Sequence, residues 1–211
     1  MERTLDYTFT RDEKQLRQYY RLRKIIYAKD LKFQLKTLSD AYDEVSDVLV
    51  VRNRNRCVGG VRLTIAAQNQ DMVLPLEEVN FRLHDLFPEL HLHSTVYAEL
   101  SRLILLPEYR DGNITEKIYR RIYVKCRQHG VKYLFAITPR VQARRYVLDA
   151  KRMGFSATIA DIPIPPAQRE KYSGLADCLV IMEQAKKVHL PKEDSLQQPE
   201  ILTFGEFRFP L

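Results

Sequence analysis

The stretch Ala98-Glu99-Leu100-Ser101-Arg102-Leu103-Ile104 sets a glutamate, a serine and an arginine inside an otherwise apolar run that reads as a β-strand. Side chains alternate along a strand, so Glu99 and Arg102 are predicted on opposite faces. A strand covered on both sides does not keep two charges unless each has a partner or a chemical task. Upstream stand Asp40-Ala41-Tyr42-Asp43 and Gly59-Gly60-Val61-Arg62-Leu63, an acidic cluster and then an arginine on a second apolar strand. A base, an anchored anion and an ordered acidic loop are what acyl transfer to an amine requires. Glu99 is the candidate base, because an ammonium cannot attack a thioester until a proton is taken from it, directly or through water. The tetrahedral intermediate needs donors for its oxygen, supplied most simply by backbone N–H groups at Leu103 and Ile104.

The remaining candidates bind and order. Arg62 and Arg102 can each grip a carboxylate or phosphate with two prongs, or equally order Asp40 and Asp43 without touching substrate. Arg23 would tie the segment between Phe33 and Asp47 to the body by the same ionic logic. Ser101 would donate to the acceptor or the acyl carbonyl; no histidine is suitably linked to it, so a nucleophilic role is not assigned. Phe33, Tyr42, Tyr97, Ile137 and Val147 read either as an apolar passage for an acyl chain or as plain core.

Periodicity supplies the elements that must position these groups. Arg11 to Ala28 is predicted as an amphipathic helix, with Leu16, Tyr19, Tyr20, Arg23, Ile26 and Tyr27 recurring at three-to-four spacing. Val48–Val51 and Cys57–Ile65 form a hairpin candidate about Arg52–Arg56. A long connection, Ala66 to Thr95, holds one short helix near Phe81–Phe87, and Val96–Leu106 is the strand described first. Helices at Thr115–Gln128 and Arg140–Met153, stopped by Gly130 and Gly154, alternate with strands at Lys132–Thr138, Phe155–Ala160 and Cys178–Glu183. Pro163, Pro165 and Pro166 mark a loop between the last two strands. This order predicts a mixed α/β sheet covered by helices, in one domain over 1–211, with 186–211 a tail whose Phe204, Phe207 and Phe209 would dock back.

The 211 residues carry a formal net charge of +7, with 45% hydrophobic and 29% charged residues, the balance of an ordinary globular chain. No run of about 18 apolar residues predicts a membrane span. The acidic N-terminus lacks an apolar signal region, and three widely spaced cysteines fit a reducing cytoplasmic setting. No metal-ligand spacing is present. The positive charge fits an anionic partner, a phosphate-bearing cofactor or merely a solvated basic face, but no nucleic-acid-binding signature accompanies it.

Four ordered motifs resemble one family. Arg23 with Tyr27 and Phe33, then Asp40-x-Tyr42-Asp43, Gly59-Gly60-Val61-Arg62-Leu63 and Glu99-x-Ser101-Arg102 are similar to the motif series of the autoinducer synthase-like branch of the GNAT acyltransferases. That branch holds acyl-homoserine-lactone synthases, long-chain N-acyl amino acid synthases and exosortase-associated acyltransferases. The resemblance runs from about Leu16 to Ile181. It implies a GNAT-like mixed central sheet flanked by helices, and an N-acyltransferase with Glu99 and Ser101 in catalysis. Arg23, Phe33, Asp40, Asp43, Arg62, Arg102, Leu103 and Ile104 would then lie about the substrates.

Departures from the family pattern bear on the substrate. The lactone synthases usually have Trp where this chain has Phe33, and P-T-T where it has Thr64-Ile65-Ala66-Ala67. Leu74-Pro75-Leu76-Glu77 and Ser101-Arg102-Leu103 are closer to the N-acyl amino acid synthases and exosortase-associated relatives, which favours transfer of a medium or long acyl chain to an amino acid or derivative over S-adenosylmethionine. Tyr109-Arg110-Asp111-Gly112-Asn113-Ile114 keeps one glycine of the superfamily's pyrophosphate loop, which favours an acyl-phosphopantetheine thioester on an acidic carrier protein over coenzyme A. No other cofactor is implied. Arg120, Arg121, Lys125, Arg144 and Arg145 would dock that carrier. The alternatives are a lactone synthase using S-adenosylmethionine and acyl carrier protein, a coenzyme A-dependent acetyltransferase, and a basic nucleic-acid-binding module.

Overall fold

The computed structural model describes residues 4–66, 73–78, 80–110, 112–152, 155–171 and 177–184. The expected docking of the 186–211 tail lies outside them, as do Asp111 and Gly154. Among the described residues seven strands form one sheet: β1 (Leu5–Thr10), β2 (Asp47–Asn53), β3 (Arg56–Ala66), β4 (Tyr97–Leu105), β5 (Tyr133–Thr138), β6 (Phe155–Ile159) and β7 (Cys178–Gln184). Their order is β1-β2-β3-β4-β5-β7-β6, antiparallel at every step except β4 beside β5, which are parallel. The mixed α/β architecture read from the sequence is the one observed.

Helices α1 (Glu13–Asp30), α2 (Ala41–Val45), α3 (Leu83–Leu86), α4 (Gly112–Gln128), α5 (Arg140–Arg152) and α6 (Pro166–Lys171) complete the fold. Helix α4 lays Ile114, Ile118, Ile122 and Cys126 in a core with α5 and one face of the sheet. On the other face, α1 packs Tyr19 and Ile26 against Val48, Val50 and Ile104. Beside it, the 73–96 connection packs Leu76, Phe81 and Leu83 over Phe135 and Leu179. Asp12 caps α1 by accepting from the Gln15 N–H at 2.8 Å, and Gly130, at φ +66°, ends α4 in the left-handed region where a glycine is favoured. The three cysteines are free and buried.

Three elements differ from the sequence reading. The polar stretch before β2, which has no strong period, contains the short helix α2. β1 is an edge strand paired along its whole length with β2, and the alternation Leu5, Tyr7, Phe9 is its sequence signal. The proline-rich segment contains α6, which begins at Pro166, where a missing N–H costs nothing. The predicted short helix near Phe81–Phe87 is a single turn, Leu83–Leu86.

Candidate active site

The site is created by a local failure of strand pairing. β4 and β5 are in register only at Tyr97–Tyr133, Ala98–Leu134 and Glu99–Phe135. Beyond Glu99 they diverge, and among the described residues no strand pairs with β4 on that side from Leu100 onward. The divergence coincides with a bulge: Ser101 pairs with Arg62 and Ile104 with Gly60, so Arg102 and Leu103 together face Val61. Arg102 has φ +59°, in the left-handed region, at roughly 1 kcal/mol or more for a non-glycine residue.

A cleft of about 500 Å³ fills the gap and is lined from both faces of the sheet. Ser101, Arg102 and Leu103 from β4 face Ile137 and Thr138 at the end of β5. On the α1 side the walls are Tyr27 and Phe33, whose rings lie 6.2 Å apart. On the α4–α5 side they are Gly112, Thr115, Gln142, Arg145 and Tyr146. A Cβ on Gly112 would come within 2.9 Å of the Arg145 guanidinium, so the glycine lets that arginine lie over the start of α4. Arg102, Arg110 and Arg145 line the cleft, and among the described residues no carboxylate does.

Behind β4 the acidic motif is a clamp. Asp40 is the N-cap of α2 and Asp43 its third residue, each accepting the other's backbone N–H. Arg23 grips Asp43 with two prongs, Nη1 to Oδ1 at 2.9 Å and Nη2 to Oδ2 at 2.6 Å, and its Nη2 also reaches the Leu38 carbonyl at 2.7 Å. Arg62 reaches Asp40 at 2.5 Å, Asp43 at 3.1 Å and the Ser101 hydroxyl at 3.2 Å. Burial pushes the Asp43 carboxyl up, but the hydrogen bonds and charge of Arg23, with the charge of Arg62, outweigh it and hold it below the usual carboxylate range. Arg23, Arg62 and Asp43 are fully buried and away from the cleft lining, so they order the segment that carries Phe33.

Arg102 is placed differently. Its Nη2 is 3.2 Å from Asp40 and its guanidinium lies 5.7 Å from the Tyr27 ring. Its buried Nε has no partner among the described residues. It therefore retains donor capacity beside the cleft.

Glu99 is 2% exposed and does not line the cleft. Its Oε2 accepts the Leu76 N–H at 2.7 Å, tying the 73–78 segment to β4. Ser101, the next residue on the same face, does line the cleft. Ile104 turns its side chain into the α1-side core. Phe33 and Ile137 line the cleft as the passage reading expects, whereas Tyr42 and Tyr97 do not. Tyr42 lies under the Arg62 guanidinium. Tyr97 packs edge-on to Phe135 and donates to Glu77 at 3.3 Å. Val147 packs against the α4–α5 core.

Of the basic residues expected to dock a carrier, Arg145 lines the cleft and Arg144 is exposed beside it. Arg120 is paired with Glu116 at 2.8 Å, and Lys125 with Asp47 at 3.2 Å, at the far end of α4, where Arg121 acts on Asp6.

Sequence reasoning missed Tyr146 and Glu77. Tyr146 lines the cleft from α5, and burial pushes its hydroxyl up to about 12, against a smaller opposing effect of Tyr119. Its signal is its place one residue after Arg145 on a helix whose buried face includes Ala143 and Ala150. Glu77 is buried, accepting the Leu83 N–H at 3.0 Å and the Leu74 N–H at 3.2 Å. Among the described residues, no group of three or more potential ligands could hold a metal, and no helix is long and apolar enough to cross a membrane.

Residues 22–120 match the family described as the acetyltransferase (GNAT) domain. No curated protein matches the whole sequence significantly. Among solved structures, the chain is similar to FeeM, an N-acyl amino acid synthase from uncultured soil microbes, with TM-score 0.61 and 9% identity over 84% of this chain and 88% of that one. It is similar to the acyl-homoserine-lactone synthase LasI, with TM-score 0.57 and 14% identity over 96% and 98%. It is also similar to BjaI, a CoA-dependent acyl-homoserine lactone synthase solved with SAM and isopentyl-CoA, with TM-score 0.55 and 18% identity over 94% and 89%.

Proposed function

We propose that this GNAT-type acyltransferase moves a fatty acyl group from a phosphopantetheine thioester to the amine of an amino acid. The observation that carries the reading is the through-sheet cleft at the β4–β5 divergence, lined among the described residues by Arg102, Arg110 and Arg145, whose ion-pair partners Asp40, Asp30 and Asp149 are not in the lining. A thioester arm enters from the α4–α5 side, where Arg145 and the first turn of α4 meet its phosphate. The carbonyl comes to the β4 bulge, where the Leu103 N–H polarises it. The acceptor lies on the α1 side, its carboxylate at Arg102 and its amine facing the carbonyl. Tyr146 stays protonated at neutral pH and donates to the departing thiolate. Glu99 takes the amine's proton by way of water past Ser101. The amine nitrogen bonds to the carbonyl carbon, the C–S bond breaks, the thiol leaves with the proton from Tyr146, and the nitrogen's second proton returns to Tyr146 as the amide forms.

The donor is assigned to a carrier protein because Tyr109-Arg110-Asp111-Gly112-Asn113-Ile114 has a single glycine. Incubation of the purified protein with acyl-carrier protein or acyl-CoA and an amino acid mixture tests this, read by thiol release and mass spectrometry. N-acyl amino acids made from the carrier-bound donor are expected. Acyl-homoserine lactone with methylthioadenosine from S-adenosylmethionine would replace the acceptor, and preference for acyl-CoA would replace the donor. No thiol release from either donor overturns the reading.

A further inference from the structure

Tyr19 is 0% exposed on α1, and its hydroxyl donates to the backbone carbonyl of Arg102 at 2.7 Å. That carbonyl belongs to the left-handed residue of the β4 bulge, one of two residues set against Val61. The fold makes room for the contact: a Cβ on Gly60 would come within 2.8 Å of the Tyr19 ring and 2.6 Å of the Leu49 carbonyl. A tyrosine packed against glycine, beneath a strand bulge, is an arrangement for reaching one backbone atom.

The peptide between Arg102 and Leu103 is planar and trans, so its N–H points opposite to its carbonyl. With the carbonyl drawn towards α1, the Leu103 N–H is aimed away from α1, and Leu103 lines the cleft. A hydrogen bond to the carbonyl also polarises the peptide and strengthens its N–H as a donor. We infer that Tyr19 is a positioning residue: by holding the Arg102 carbonyl it fixes the direction and strength of the Leu103 N–H that binds the acyl carbonyl. The hydroxyl touches no substrate and acts only through that peptide. Burial raises the Tyr19 hydroxyl well above its ordinary value, which keeps the proton that makes the bond. The inference rests on the reading of the cleft as a thioester site.

Tyr19→Phe removes the hydroxyl and keeps the ring. It is expected to lower kcat about tenfold, less than the roughly hundredfold loss of a direct oxyanion donor, with KM for the donor within about twofold. Tyr123→Phe is the control, because Tyr123 is also buried but lies on α4 against Phe155, away from the cleft. It is expected to leave kcat unchanged. The discriminating readout is the infrared carbonyl band of a 13C-labelled acyl-pantetheine thioester bound without acceptor. The band is expected at lower frequency in wild type and Tyr123→Phe than in Tyr19→Phe; one band position in all three overturns the inference. In the ligand-free protein, the Leu103 amide resonance is expected to move in Tyr19→Phe and stay in Tyr123→Phe. An unmoved Leu103 amide overturns the inference whatever binds in the cleft. A moved amide, with no thioester bound by wild type, supports the link from Tyr19 to Leu103 and overturns the thioester reading instead.

Discussion

Within the Glu-x-Ser-Arg motif, Glu99 precedes the β4 bulge and Arg102 lies in it. Among the described residues, the buried Nε of Arg102 beside the cleft has no partner, and its guanidinium pairs with the partly exposed Asp40 and Tyr27. A two-pronged grip on an acceptor carboxylate needs the planar guanidinium, which lysine cannot reproduce. Arg102→Lys is therefore expected to raise KM for the acceptor nearly as much as Arg102→Ala, on the order of tenfold or more, with donor KM unchanged; recovery by lysine in steady-state kinetics would remove the bidentate role. One substitution separates the base role proposed for Glu99 from its structural contact. Its carboxylate accepts the Leu76 N–H, a bond that the glutamine oxygen can also accept, while glutamine cannot take a proton. Glu99→Gln should thus keep the melting temperature within a few degrees and lower turnover about a hundredfold. Unchanged turnover with a lowered melting temperature would make Glu99 an anchor of the 73–78 segment and nothing more.

At the scale of elements, α1, α2 and β3 are bound by the Arg23–Asp43–Arg62 cluster rather than by apolar contact alone. Removing one partner from a buried pair leaves a charge without compensation, so Arg23→Ala is expected to cost about 3–5 kcal/mol in urea unfolding. The pH dependence has a definite sign. The folded Asp43 carboxyl lies below its unfolded value of about 3.9, so its stabilisation is complete above that value and is lost as pH falls through the folded one. The stability difference between wild type and Asp43→Asn should be constant from pH 5 to 8 and shrink below about pH 4; a difference that does not change with acid would show that the charge on Asp43 is not what holds the clamp. This clamp was legible in the sequence as acids and arginines in order, because such charges on apolar strands demand partners. The cleft was not, because it depends on where β4–β5 pairing stops, and that follows from a bulge at Arg102 that no residue type announces. β1 was not read, because the alternation of Leu5, Tyr7 and Phe9 spans only a short segment, and α6 was hidden behind the prolines that start it.

Across the whole molecule the +7 charge is unevenly employed. The basic residues on the far half of α4 serve local structure: Arg120 pairs along its own helix, and Lys125 joins Asp47 and lies 5.3 Å from the Phe9 ring. At 1.5 Å per residue, Lys125 stands roughly 20 Å along α4 from Gly112 at the cleft, too far to share a small docking footprint with the mouth. Helix α5 offers the better surface. Arg144 is exposed there between Val141, 83% exposed, and Leu148, 59% exposed, and is the sequence neighbour of cleft-lining Arg145. A basic centre with apolar flanks suits an acidic carrier whose arm must enter beside it, and such steering weakens as salt rises. Arg144→Glu is accordingly expected to raise KM for an acyl-carrier protein about tenfold at low ionic strength, with the effect fading by 0.5 M salt, and to leave KM for a free acyl-pantetheine thioester unchanged. Lys125→Glu should leave both values unchanged. Equal effects of Arg144→Glu on the carrier-bound and free donors would place Arg144 in arm binding instead of docking, and no effect on either would remove α5 as the carrier's landing surface.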